Sequence, residues 1–449
     1  MKVVIIGGGK VGRKLVSELN SEGHDVILID IKSSVTAQLQ DQYDVMGICG
    51  SGSDIEVLKE AGIKNTDLLV AVTDKDEFNA LCAVIGKKLG AKKCVARVRN
   101  MEYSKQLPFM RDVLGVNHIV NPEYYAASDI SRTLRFPAAI KTETFARGRV
   151  ELAEMRMPES LDGKALRQIY TMYKVKVLIC AVQRGDSVII PNGDFILRSG
   201  DKIYITATHA ALASFLKLTG IDNQRIKNVL IIGGGRIAFY LVKQLSEIGM
   251  KVKIIEQDMN QCELLAGYFS NVTVVCGDGT DQQVLEEEGI NTYDSLVSLT
   301  GIDEENIIIS MYAKTKKNMD KVITKIDRDI MPQVIAATGI DSIVSPKDIT
   351  ANTILRYARA MEVSEDTEIN ALYRIVGGRA EAIEFRITRE SALTSTPLKE
   401  LKLKDNILIA AIIKGNQVVT PDGDSTIEVG DSLVLVTTKP LKKLGEILM

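Results

Sequence analysis

VVIIGGGKVG (Val3–Gly12) decides how the rest of this chain is read. Four aliphatic residues make a short strand with no polar face, and glycines follow at positions 7, 9 and 12 in the GxGxxG spacing. Gly7 permits a tight turn off the strand, Gly9 lets the backbone approach a diphosphate, and Gly12 lets the next helix pack close to the strand. The segment KVGRKLVSELNSEG has helical periodicity, so the loop opens a helix. Free N–H groups and the positive dipole end of that helix would face an anion beyond the strand. The next aliphatic run, DVILID, ends in Asp30, 21 residues beyond Gly9. An acid there accepts hydrogen bonds from ribose hydroxyls and repels a 2′-phosphate, which disfavours NADP.

The pattern occurs twice. VLIIGGGRIA carries Gly233, Gly235 and Ala238, and Glu256 ends its next strand, again 21 residues beyond the middle glycine. The glycine loops are offset by 226 residues (from 7 to 233). NPEYYAASDISRTLRF and SPKDITANTILRYARA are offset by 224 (from 121 to 345), and IIPNGDFILRSGDKI and VTPDGDSTIEVGDSL by 230 (from 189 to 419). Matches that stay in register over most of a chain indicate a tandem duplication.

Each copy has two parts. The first alternates aliphatic strands with helical patterns: KVVIIG, DVILID, DVMGIC, DLLVAVT, KCVARV and HIV in copy one, and NVLIIG, KVKIIE, VTVVCG, DSLVSLT, KVITKI and SIV in copy two. Near-continuous Val/Ile/Leu strands separated by helices predict a parallel sheet covered on both faces, the doubly wound Rossmann-like α/β class. The second part is smaller and strand-rich, with hairpins predicted around RGDS and KGNQ, a further strand after each Gly-Asp turn, and a helix near Leu166 to Tyr170. The division predicted is 1–136 and 223–360 for the Rossmann-like lobes and 137–222 and 361–449 for the small α+β lobes. Amphipathic helices after Pro122 and Pro346 mark the boundaries within each copy, and GIDNQR (Gly220–Arg225) reads as the linker between copies.

Further candidates lie at the carboxyl edges of the predicted sheets. CGSGSD and CGDGTD place Ser51 and Asp278 where an adenine would rest; Asp278 could accept from the adenine amino group, and a plain glycine-rich helix cap is the alternative. Thr73 and Thr300 close the cleft from the far side of the switch point. Asp76, Glu77, Glu304 and Glu305 fit the first turn of the following helices, where acids favour the dipole. Arg97 and Lys325 are cations on otherwise apolar fifth strands, readable as phosphate or ribose contacts or as snorkelling side chains. Lys10 and Arg236 follow the middle glycines and could reach extra phosphates, which leaves ADP and ATP open beside NAD(H).

Length and composition set limits. A chain of 449 residues, 45% hydrophobic and 25% charged, buries its cores without disulfides or metals. A net charge of -2 gives no basic field for nucleic acid. The six cysteines form no CxxC pair and mostly sit in apolar runs, as expected for reduced thiols in a reducing compartment. No secretory signal and no stretch of about 20 apolar residues is visible, so a cytoplasmic protein is expected, attached to a membrane only through a partner. A hydride-transfer enzyme would need an acid–base group, but His24, His118 and His209 fall in no catalytic cluster. No HExxH, GxSxG or Walker lysine loop is present, so no catalytic or metal-binding residues are assigned.

MKVVIIGGGKVG…LID, TDKDEFNALCAVIGKKLGAKKCVARVRNMEY and IIPNGDFILRSGDKIYI, each repeated in weaker form, resemble the TrkA family, the RCK-type regulatory subunits of Trk potassium uptake systems. The resemblance spans almost the whole chain. It implies two RCK modules, each a TrkA-N lobe followed by a TrkA-C lobe, in a non-enzymatic, nucleotide-sensing protein. It also implies a homo-oligomeric gating ring, a tetramer, under a TrkH- or TrkG-like potassium channel at the inner face of the membrane. Carried over by motif, the nucleotide positions are Gly7, Gly8, Gly9, Lys10, Val11, Asp30, Thr73, Asp74 and Arg97 in copy one. In copy two they are Gly233, Gly234, Gly235, Arg236, Ile237, Glu256, Thr300 and Lys325. Gly301 replaces Asp74 and Lys325 replaces the arginine, which implies a different ligand preference at the second site. An NAD-dependent oxidoreductase and an RCK regulator of another cation transporter are the alternatives.

Overall fold

Val3 to Ile6 are at most 1% exposed, on both faces of their strand, which is why no polar residue alternates there. In a computed structural model, which describes residues 1–100, 115–146, 149–221, 226–328, 338–340, 342–362, 368–439, 441 and 444–448, this strand is central to a parallel sheet. In space the order is Met46–Cys49, Asp25–Asp30, Lys2–Ile6, Leu68–Ala71, Lys93–Arg97, His118–Val120. Ile6 pairs with Ile29 on one side and Ala71 on the other. The second copy repeats the arrangement as Thr273–Cys276, Lys251–Glu256, Asn228–Ile232, Ser295–Ser298, Lys321–Lys325, Ser342–Val344. All the strands expected for these two lobes are present. The reversal of strand order beside the first strand opens a crevice at the carboxyl edge of each sheet. Residues 101–103 of the motif quoted above and 222–225 of the expected linker lie outside the described residues.

The two crossing helices do what the sequence does not show. Pro122–Arg135 starts with Asn121, whose side chain accepts from the Tyr124 N–H, and with a proline whose missing N–H costs nothing in the first turn. Its apolar face, Ala126, Ala127, Ile130 and Leu134, is fully buried in the core of the second lobe with Val229, Leu241 and Leu245. Reciprocally, Ala351, Ile354, Leu355 and Ala358 of Pro346–Glu362 are buried with Val3, Leu15 and Leu19 of the first lobe. Each lobe therefore completes its hydrophobic core with the other copy's helix. The alanines permit close helix approach, and Asn121 donates to the buried Tyr240 hydroxyl at 3.0 Å.

The small lobes are five-stranded antiparallel sheets. Hairpin strands Leu178–Arg184 and Ser187–Ile189 turn at Gly185, with φ of 56°, as RGDS predicted. One face of each sheet joins a shared core containing Phe145, Val150 and Tyr204 of one and Val376, Ala382 and Val434 of the other. Helices Leu166–Tyr173 and His209–Leu218 cover the outer face of the first sheet. The described part of the second small lobe has only 3-10 turns in their place, at Leu398–Glu400 and Leu444–Ile447.

An ion network ties the first glycine helix, Lys10–Ser21, to the second copy. Glu22 accepts from Arg359 Nε at 3.1 Å and Arg374 Nη2 at 2.8 Å, and Arg374 also pairs with Glu18. Burial opposes ionisation of Glu22, but hydrogen bonds from His24 and Arg359 and the charges of Arg359 and Arg374 outweigh it and hold the carboxyl at about 2, against an ordinary 4.5.

Two outcomes follow. Ile130→Ala should cost about 2–5 kcal/mol by cavity formation. Hydrogen exchange should accelerate in Arg236–Glu247, in the lobe to which Ile130 does not belong by sequence. Because the folded-state pKa of Glu22 is depressed, its stabilisation is present above 4.5 and is lost as pH falls through about 2. The stability difference between wild type and Glu22→Gln in urea titrations should therefore shrink across that window.

Candidate functional site

Both glycine loops open onto the same space. Gly7 and Gly233 have φ of 103° and 94°, in the left-handed region that a side chain resists. A methyl group on Gly12 would stand 1.9 Å from the Gly7 carbonyl oxygen, so this glycine serves helix packing. A methyl group on Gly9 or Gly235 would meet nothing within 4 Å. Each is the N-cap residue of its helix and supplies no side-chain cap, which leaves the first N–H groups facing open volume.

The strand-end acids hold these loops in shape. Asp30 accepts from Gly8 N at 2.7 Å and Lys32 N at 2.9 Å, and Glu256 accepts from Gly234 N at 2.6 Å and Asp258 N at 2.8 Å. A carboxylate has about four acceptor positions, so each retains capacity for a ribose hydroxyl.

Asn79 and Asn306 hold the opposite wall. Fully buried, Asn79 accepts from Thr73 N at 2.8 Å and Thr73 Oγ1 at 2.6 Å, and donates to Thr73 O at 3.0 Å and Arg97 O at 2.9 Å. Asn306 accepts from Thr300 N at 2.8 Å and donates to Thr300 O at 3.2 Å and Lys325 O at 3.1 Å. Neither asparagine was singled out in the sequence, although both occupy matching places in the repeated helix starts DEFN and DEEN. Asp76, Glu77, Glu304 and Glu305 lie in first helical turns, as expected, with Asp303 beside them; Asp76 and Asp303 also accept from N–H groups after the fifth strands, at Arg99 and Asn100 and at Asp327 and Arg328.

A cavity of about 910 Å³ lies between the lobes. The first lobe lines it with Gly7, Gly8, Gly9, Lys10, Val11, Asp30, Ser51, Thr73, Asp74 and Arg97. The second adds Gly235, Arg236, Ile237, Thr300 and Lys325. Gly12, Gly233, Gly234, Glu256 and Asp278 are not among its lining residues. The second lobe thus presents the start of its glycine helix to the cavity, and Glu256 and Asp278 lie outside it. Ser51 Oγ sits 3.0 Å from Ser53 Oγ, whereas Asp278 accepts from Thr280 N and Oγ1 at 2.9 and 2.7 Å and closes its own turn.

The two fifth-strand cations differ. Lys325 Nζ donates to Thr300 O at 3.1 Å and pairs with Asp327 at 3.1 Å. Arg97 Nη2 donates to Thr73 O at 2.5 Å, while its buried Nε has no partner among the described residues. Burial, then the charge of Arg99, lowers the Arg97 guanidinium below its ordinary value. An anion in the cavity would relieve that cost. Glu123, at the start of a crossing helix, lines the same cavity 3.8 Å from Arg236, and burial raises its carboxyl. Arg99, Glu123 and Lys347 joined the site only through the fold.

The histidines are engaged elsewhere: His24 Nδ1 lies 3.4 Å from the chain's first nitrogen, His118 stacks on Tyr357 at 5.1 Å, and His209 meets Glu151 at 3.0 Å. None lines the cavity. No helix among the described residues is long and apolar enough to cross a membrane.

Two Rossmann-like lobes with facing glycine loops, each followed by a small antiparallel lobe, define a doubled RCK-type module. The TrkA-N domain model matches residues 3–122 and 229–346, and the TrkA-C domain model matches 152–220 and 382–448. The chain is 33% identical to a Trk system potassium uptake protein TrkA homolog of Archaeoglobus fulgidus, over 100% of both chains. It is 30% identical to Trk system potassium uptake protein TrkA of Vibrio alginolyticus, over 97% of this chain and 95% of that one. The chain belongs to the TrkA family of Trk-system potassium uptake proteins. The GsuK RCK domain shares the fold with a TM-score of 0.63 at 19% identity, covering 97% of this chain and 92% of that one. The GsuK channel bound to NAD matches with a TM-score of 0.63 at 18% identity, covering 97% and 76%.

Replacing Asn79 by alanine removes the side-chain partner of Thr73 N and of Arg97 O, while Thr73 O keeps Arg97 Nη2. It should destabilise the first lobe by about 1–3 kcal/mol per group left unsatisfied. Urea denaturation of Asn79→Ala checks this, and an unchanged midpoint would contradict the assigned role.

Proposed function

We infer that this chain is the non-enzymatic, nucleotide-sensing regulatory subunit of a Trk-type potassium uptake system, built as four lobes at 1–136, 137–222, 223–360 and 361–449. The observation that carries the reading is that two uncapped helix N-termini and the incompletely paired Arg97 face one shared cavity. Such a site takes a phosphate-bearing ligand. In the first lobe the ligand lies with its diphosphate on Gly7 to Val11, its ribose on Asp30, its adenine near Ser51, and Thr73, Asp74 and Arg97 on the far wall. A second ligand would take Gly233 to Ile237, Glu256, Asp278, Thr300 and Lys325 in the same roles, with Gly233, Gly234, Glu256 and Asp278 reaching it from outside the shared cavity. NAD(H) is the ligand class best matched by the acid at position 30, with ADP and ATP as further candidates. Among solved relatives of the fold, GsuK is described bound to NAD and, at a TM-score of 0.51, bound to ADP.

A bound ligand touching both lobes discriminates between arrangements of those lobes, and only such differential affinity shifts a conformational equilibrium. A coupling of about 1–3 kcal/mol, typical of allostery, would change channel activity several-fold. The partner is a TrkH- or TrkG-like channel subunit, which keeps this chain at the cytoplasmic face of the membrane. The proposed assembly is a tetrameric ring; exposed apolar residues at matching places on equivalent helices, Leu81 on Asp76–Leu89 and Ile308 on Asp303–Lys314, at 49% and 67% exposure, suit contacts between copies.

Calorimetric titration tests the ligand assignment. Asp30→Ala should weaken NADH binding at the first site roughly ten- to a hundred-fold, the worth of a charged hydrogen bond, about 1.5–3 kcal/mol. Unchanged affinity in the folded variant would remove Asp30 from the site. Arg97→Gln should weaken ADP and NADH together, since both carry the diphosphate.

A further inference from the structure

Four of the six cysteines are buried, and the two exposed ones, Cys49 and Cys276, end the third strands of the two Rossmann-like lobes. Their surroundings differ. Cys49 Sγ lies 3.7 Å from the Ile31 carbonyl oxygen, with Thr36 at the matching place on the adjoining helix Ser33–Gln42. In the second lobe that place holds Cys262, on the helix Met259–Tyr268. Cys262 Sγ lies 3.3 Å from Glu256 O and Cys276 Sγ lies 3.8 Å from Gln257 O. Two thiols thus converge on successive carbonyls where one strand ends, and Cys276 is the register partner of Glu256.

We propose that Cys262 and Cys276 form a redox-sensitive dithiol that closes to a disulfide in the presence of a low-molecular-weight disulfide oxidant. The exposed Cys276 thiolate attacks one sulfur of the oxidant, forming a mixed disulfide and releasing the first thiol. Cys262 then gives up its proton and attacks the Cys276 sulfur, and the second thiol of the oxidant leaves with that proton. Two electrons and two protons pass from the cysteine pair to the oxidant, which is reduced to two thiols. Burial first, then the neighbouring Cys276, Glu256 and Asp258, push the Cys262 thiol up to about 11, which suits it to the resolving rather than the attacking role.

The bond would tie the helix Met259–Tyr268 to the end of the strand Thr273–Cys276. That junction is where Glu256 holds Gly234 N, and Gln261, next to Cys262, donates to Gly234 O at 2.8 Å. The strap would therefore stiffen the second glycine loop and leave the first unaffected. This asymmetry does not depend on what either loop binds.

The full-length reduced chain, treated with oxidised glutathione and then alkylated, tests the proposal by peptide mass mapping. The expected product is a linked Cys262–Cys276 peptide that has lost two hydrogens, with Cys49 stopping at the mixed disulfide. Dithiothreitol should restore both thiols. Cys262→Thr, which copies the residue of the first lobe, should make Cys276 behave as Cys49 does. Hydrogen exchange in Met259–Tyr268 should slow several-fold on oxidation, with Ser33–Gln42 unchanged. A lasting mixed disulfide on Cys276 with Cys262 still alkylatable would overturn the dithiol. A linked peptide without altered exchange would overturn the strap.

Discussion

The structure depends on one exchange. Each Rossmann-like lobe lends a helix to the other, and neither core is complete without it. Four fully buried apolar side chains from Pro122–Arg135 sit in the second lobe's core, and a matching set from Pro346–Glu362 sits in the first. At about 1.5–3 kcal/mol for each fully buried large aliphatic side chain, the exchange outweighs any surface ion pair between the lobes. It also fixes geometry. Helices that start at the sixth strand of one sheet and end on the first helix of the other turn the two crevices toward each other, which creates the shared cavity.

The two halves are not equivalent within that frame. The first lobe offers a complete crevice, from Ser51 at one end to Arg97 at the other. From the second come the glycine-helix start and Lys325, whose charge Asp327 already matches. The first glycine helix is wired through Glu18 and Glu22 to Arg359 and Arg374 of the second copy. The second glycine helix meets the first copy through neutral contacts, Gln244 donating to Ser128 and Tyr240 accepting from Asn121, both at 3.0 Å, and through one looser pair, Arg236 with Glu123 at 3.8 Å. Nearly equal folds have thus acquired different electrostatic connections, and a ligand on the first loop sits at the end of a helix whose other end grips the second small lobe.

Much of this was legible in the sequence because it is local. Aliphatic runs become strands, glycines at fixed spacing become a loop, and Asp30 and Glu256 fall at strand ends by chain length alone. Helix exchange is not local: the apolar stripe Ala126–Leu134 reads the same whether it packs on its own lobe or on another. For the same reason Asn79 and Asn306 were visible as repeated residues but not as clamps, since besides Thr73 and Thr300 they bind Arg97 and Lys325 on the next strand. Arg99, Glu123 and Lys347 enter the cavity only because the lobes face each other. Among the described residues ALRQIYTMY of the first small lobe carries a helix and PLKELKL of the second only a 3-10 turn, a difference too slight to decide from periodicity.

In the proposed role a bound nucleotide acts as a signal and is not consumed. Incubating the intact protein with saturating NADH while recording its absorbance and its binding heat tests that most directly. A regulatory subunit should give saturable heat with no decline in NADH absorbance. Continuous NADH oxidation by the purified chain would contradict that role.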